Sequence, residues 1–138
     1  MSKAETKRKK AGTPAFGDLP AQIRQAALAA QDKKAEDVAV LNVRDVSSFT
    51  DYFVICSGQN ARQVKAIADA VEEALLKART RPAHVEGYDR AEWVLLDCFD
   101  FVVHIFTPAM REFYGLERLW GSAERIVVPE PGPRAAQP

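Results

Sequence analysis

Polar and apolar positions along this chain follow two rhythms, one of helical period and one of strand period. Leu19, Ile23, Ala27 and Ala30 recur at helical spacing. They predict an amphipathic helix over about 19–34, capped by Asp18, with Pro20 in its first turn and Lys33 and Lys34 at its end. Val38 to Val43 and Tyr52 to Ser57 are short apolar runs, read as buried strands joined by a turn-rich link. Gly58 breaks the second strand, and Asn60 is placed to cap the longest helix, about 61–79. Its stripe is Val64, Ile67, Val71, Leu75 and Ala78, with Glu73 and Lys77 paired on the wet side. After Arg81-Pro82 comes a short strand at 83–86. The runs 93–98 and 101–106 flank Phe99-Asp100 as an antiparallel hairpin. Thr107 and Pro108 open a helix to about Tyr114, Gly115 interrupts it, Leu116 to Trp120 make a further turn, and 126–128 form a last strand.

This order predicts an α/β fold, a mixed β-sheet of about five strands packed with helices. The hairpin breaks the strand–helix alternation that a doubly wound repeat requires. The 47% hydrophobic and 28% charged composition excludes collagen-like, coiled-coil and wholly disordered chains. No apolar run approaches the roughly 18–20 residues of a membrane span. The basic N-terminus lacks the apolar stretch of a secretory signal, and a transit peptide is the weaker alternative. Net charge is zero, but its distribution is uneven. Residues 1–18 carry five basic against two acidic groups, and 19–128 carry thirteen against sixteen. The expected organisation is a disordered basic tail at 1–17, a mildly acidic domain at 18–128, and a disordered Pro-rich tail at 129–138. Such a balance argues against a domain that coats naked nucleic acid.

Candidate chemistry is sparse. Phosphate-binding glycine motifs are absent, and Ser57-Gly58 reads as a strand-to-helix turn, with anion binding as the alternative. Neither histidine has a triad partner in sequence. Cys56 and Cys98 read as buried thiols of a reducing, cytoplasmic compartment, not as metal ligands or nucleophiles. Asp97 and Asp100, with Glu86 on a neighbouring strand, are the one carboxylate set with enzymatic potential. Magnesium-dependent nucleotidyl transfer uses such acids, but turn acids or partner contacts fit better, since no basic cluster for a triphosphate accompanies them. His104 shares a strand face with Val102 and Phe106, as a sheet residue or an interface contact. Seven aromatic residues, Trp93, Phe99, Phe101, Phe106, Phe113, Tyr114 and Trp120, crowd into 93–120 among Asp97, Asp100, Arg111, Glu112 and Arg118. That is the composition of a protein–protein patch.

Several of these segments also carry a resemblance. Asp51-Tyr52-Phe53-Val54-Ile55-Cys56-Ser57-Gly58, Ala61-Arg62-Gln63-Val64, Trp93-Val94-Leu95-Leu96-Asp97, Val102-Val103-His104-Ile105-Phe106, Arg111-Glu112-Phe113-Tyr114 and Leu116-Glu117-Arg118-Leu119-Trp120 stand in the order of the ribosomal silencing factor (Iojap) family. The chain resembles that family over about 19–121. The resemblance implies a nucleotidyltransferase-like α/β sandwich without catalytic acids, and a non-enzymatic protein with neither cofactor nor metal. It implies a cytoplasmic repressor that binds the large ribosomal subunit through its fourteenth ribosomal protein. Such a repressor blocks joining of the small subunit and silences translation when nutrients run short. Self-association into a homodimer is also implied, with large-subunit assembly or a nucleotide-using enzyme as alternatives. Carried over by position, the partner-binding residues are Trp93, Leu95, Asp97, Asp100, His104, Phe106, Arg111, Tyr114 and Trp120. The basic tail is expected to reach peripheral ribosomal RNA. Phe99 departs from the small Gly usual in the family's hairpin turn. A bulky residue there is costly if the turn needs a positive φ, so a wider turn or a ring reaching to a partner or second copy is expected.

Overall fold

The computed structural model describes residues 13–131. A 3₁₀ turn at Phe16–Asp18 leads into α1 (Ala21–Asp32), β1 (Glu36–Asn42) and β2 (Tyr52–Ser57). Then come α2 (Ala61–Lys77), β3 (His84–Glu86), β4 (Trp93–Asp97) and β5 (Phe101–Phe106). Two short helices, α3 (Pro108–Tyr114) and α4 (Leu116–Leu119), precede β6 (Glu124–Ile126). The six strands form one mixed sheet in the order β3-β4-β5-β2-β1-β6. β2 and β5 run parallel at its centre and every other neighbouring pair is antiparallel. The α/β expectation is thus met.

Every residue of β2 is buried, as a continuous apolar run on a central strand requires. One face of the sheet, through Val40, Val54, Cys56, Val94, Leu96, Val103 and Ile105, packs under α1 and α2. The α2 stripe of Val64, Ile67, Val71 and Leu75 is buried there, and the Asn60 side chain caps the helix by accepting from the Gln63 amide. Glu73 and Lys77 meet at 3.7 Å on the exposed side. The opposite face holds Leu41, Phe53, Ile55 and Phe106. The small corner α3–α4 packs on it through Met110, Leu116 and Trp120, with Ala123 beside them. The two faces therefore differ in how much of each is closed.

Two local expectations are corrected. Asp18 lies inside the 3₁₀ turn, and Pro20 occupies the cap position of α1 with no side-chain bond. The last strand is Glu124–Ile126, set by antiparallel pairing with Val40–Asn42, and Val127 beyond it is exposed. At the N-terminal side, Thr13 donates to Glu124 and accepts from Asn42, and Phe16 packs against the core. The remainder of the expected N-terminal tail, 1–12, and most of the C-terminal one, 132–138, lie outside the described residues.

Candidate functional site

Strand alternation decides which side chains reach the less covered face. On β4 these are Trp93, Leu95 and Asp97, all half-buried, while Val94 and Leu96 point into the core. On β5 they are Val102, His104 and Phe106. Register sets Trp93 opposite Phe106, Leu95 opposite His104 and Asp97 opposite Val102. Gly87 shapes the approach to this strand. Its φ is +80°, and a Cβ there would lie 2.1 Å from the Trp93 carbonyl oxygen.

Trp93 is the hub. Its ring stacks on Phe106 at 5.0 Å and tilts against Tyr114 at 4.5 Å. Its Nε1–H donates to His104 Nδ1 at 3.1 Å. Because Nδ1 accepts, the imidazole proton resides on Nε2, which is buried and has no partner. His104 is 4% exposed, and burial pushes its pKa down to about 3, so the ring is neutral at physiological pH. Phe53 meets His104 edge-on at 4.7 Å and Trp120 at 5.6 Å, extending the aromatic layer across the sheet.

The corner α3–α4 frames this layer. Thr107 and Pro108 open α3, with Pro at its first turn and no Thr107 side-chain bond, and Gly115 separates the helices at φ +54°. Neither helix contains a buried residue. Phe113 (73%), Leu119 (71%) and Tyr114 are exposed. Single exposed apolar residues are ordinary, but Phe113 meets Tyr114 at 5.0 Å and Tyr114 meets half-open Trp93, so these rings make a continuous apolar surface.

The nine residues singled out by sequence thus fall into distinct positions. Trp93, Leu95, Asp97, Tyr114 and Trp120 are at least partly open on this face. Phe106 is fully buried beneath Trp93, and His104 is nearly so. Both were expected as partner-binding residues, and here they are closed to solvent, Phe106 against the Trp93 ring and His104 against Trp93 and Phe53. Arg111 turns inward, with 12% of its side chain exposed. Asp100 sits at the hairpin tip, where its carbonyl accepts from the amides of Asp51 and Tyr52. At that tip Phe99 has φ +69°, the positive value that sequence reasoning flagged as costly. Its ring is 74% exposed, and its amide donates to Asp97 Oδ1. Sequence reasoning missed Phe49, 70% exposed in the adjoining loop, and Leu119 and Glu117 in the second helical turn.

Among the described residues, no three His, Cys, Asp or Glu side chains converge as metal ligands would. Burial pushes the thiols of Cys56 and Cys98 up to about 12, with Asp97 adding to the effect at Cys98, so neither is a ready thiolate. The carboxyl ends of β2 and β5, whose following helices leave on opposite faces, form the crevice where open α/β sheets bind ligands. Here that crevice is about 270 Å³, and Arg111 reaches across it to Ser57. Nearby, the Gln59 and Gln63 amides donate to the Gln63 and Asn60 side chains, consistent with a self-satisfied strand-to-helix turn.

Comparison with known proteins gives these features a context. Residues 17–138 match the family described as "Ribosomal silencing factor during starvation". The ribosomal silencing factor of Bacillus subtilis is 42% identical over 101 residues, 73% of this chain and 86% of that protein. A mouse protein, "Mitochondrial assembly of ribosomal large subunit protein 1", is 36% identical over 93 residues, 65% of this chain and 41% of that protein. A Chromobacterium violaceum crystal structure superposes with a TM-score of 0.69 at 35% identity, covering 83% of this chain and 92% of that one. A Bacillus halodurans structure gives a TM-score of 0.63 at 42% identity, covering 70% and 90%. With the family match spanning the whole folded body, the chain belongs to the ribosomal silencing factor family.

Proposed function

We propose that the protein docks on the large ribosomal subunit through the subunit's fourteenth protein. Occupying the surface that the small subunit must meet, it blocks joining and represses translation when nutrients are short. The observation that carries this reading is the half-open face where the Trp93, Tyr114 and Phe113 rings meet beside Leu95 and Asp97. Docking uses Trp93, Leu95, Tyr114 and Trp120 as apolar anchors. Asp97, with Asp100 at the rim, gives complementarity to a basic ribosomal protein. His104 and Phe106 act beneath them by fixing the Trp93 ring. The protein works in the cytoplasm as a binder, not an enzyme, and needs no cofactor or metal. A second copy covers the same aromatic face when the protein is free, giving a homodimer that competes with docking. The basic residues of 1–17 add a weak, salt-sensitive contact to neighbouring ribosomal RNA.

Co-sedimentation with purified large subunits tests the reading. Wild-type protein pellets with them, and Leu95→Asp, which places a charge on the apolar part of the face, does not. Equal pelleting of both proteins would contradict it. The mouse relative, named for assembly of the large subunit, favours a second reading in which the same contact serves assembly. Depletion would then reduce the yield of mature large subunits, beyond any change in their joining.

A further inference from the structure

α3 has seven residues and α4 four, and neither buries a residue of its own. Helices this short do not persist alone in water. Met110, Leu116 and Trp120 lean on the sheet, and one polar cluster ties the corner down. Arg111 donates from Nε (3.0 Å) and Nη2 (2.8 Å) to the two carboxylate oxygens of Glu117, bridging the Gly115 break between the helices. Its Nη1 donates to Ser57 Oγ at the end of β2 (2.9 Å), and Nη2 donates to the Asp37 carbonyl in β1 (2.9 Å). Glu117 Oε2 also accepts from Arg125 Nη1 on β6 (3.1 Å). The guanidinium beside it holds the Glu117 carboxyl below its ordinary pKa, so the cluster stays ionised near neutrality. One largely buried arginine thereby joins α3 and α4 to β1 and β2, and Glu117 adds the link to β6. Phe113 and Tyr114 follow it by two and three residues and stand outside.

Resting on the docking reading above, we infer that Arg111 and Glu117 are positioning residues for the interaction. They hold the α3–α4 corner so that Phe113, Tyr114 and Leu119 meet the partner already in place, and neither touches the partner. The physical gain is preorganisation. Without the cluster, the ordering entropy of the corner opposes docking instead of being settled on folding. The arginine is specific to this task. A lysine keeps the charge but not the fork that reaches a carboxylate, a hydroxyl and a carbonyl together. Exchanging the two charges does not restore the cluster, because the Asp37 carbonyl beside position 111 can only accept and Arg125 would then face another cation.

The test pairs amide hydrogen exchange with affinity for purified large subunits, using Arg111→Met, Arg111→Lys and Glu117→Gln in the full chain. Arg111→Met is expected to speed exchange over 108–120, leave 93–106 unchanged, and weaken binding roughly ten- to hundredfold. Arg111→Lys falls between it and wild type, and Glu117→Gln shifts both readouts the same way. If Arg111→Met does not fold, the two milder variants carry the comparison. Faster exchange with unchanged affinity would overturn the inference. Lost affinity with unchanged exchange would show a direct contact and also overturn it. Wild-type protein that fails to bind the subunit removes the docking reading and this inference together, an outcome distinct from either.

Discussion

Acidification isolates the contribution of His104. The ring is buried, neutral and held through Nδ1 by Trp93, and its pKa falls from an ordinary 6.5 to about 3. Between those values the unfolded chain binds a proton that the native chain does not. Stability therefore falls as pH falls, by about 1.4 kcal/mol per pH unit. The contribution is negligible above pH 7, about 2 kcal/mol by pH 5, and close to 5 kcal/mol once both states are protonated. Against a domain stability of about 5–15 kcal/mol, that is a large share. His104→Gln keeps a carbonyl acceptor for the Trp93 indole and removes the titration. Urea unfolding of wild type and variant at pH 7.5, 6 and 5 gives two stability curves, whose difference cancels shared groups such as Glu117. The wild type should lose about 2 kcal/mol relative to the variant between pH 7.5 and 5. In NMR, the folded His104 ring should not titrate over pH 5–8. A native imidazole titrating near 6.5, or parallel curves for the two proteins, would refute the buried neutral assignment.

Three other substitutions probe separate parts of the account. Trp93→Ala removes the hub ring and should weaken large-subunit binding by at least about 2 kcal/mol, some thirtyfold, in a sedimentation titration. Phe99→Gly relieves the positive φ at the hairpin tip and should raise unfolding stability by about 1 kcal/mol in urea. Gly87→Ala forces a Cβ against the Trp93 carbonyl and should destabilise by roughly 2 kcal/mol or more in the same assay, shifting near-UV tryptophan signals.

Periodicity made much of the architecture legible. The α2 stripe, the Asn60 cap, the apolar β2 run and the 93–106 hairpin were all readable, because each is specified by neighbours in sequence. Features set by distant pairing were less so. β6 is placed by register against β1, not by its own hydrophobicity, which would have favoured the exposed Val127. Trp93, Leu95 and Asp97 were named through the family resemblance, and strand alternation places them on one face of β4. Burial of Phe106 and His104 beneath them was not legible, since it depends on the register of β4 against β5 and on Tyr114 packing from α3. Arg111 and Glu117 stand six residues apart across a left-handed Gly115, a spacing that no helical pattern pairs. Their link becomes visible only once the chain turns.

The central claim is that the half-open aromatic face occludes subunit joining. Light scattering of purified large and small subunits measures that directly. Excess wild-type protein, added to large subunits first, should suppress the joining signal in proportion to its occupancy, and Leu95→Asp at equal concentration should leave it intact. Full joining in the presence of saturating, bound wild-type protein would contradict the account.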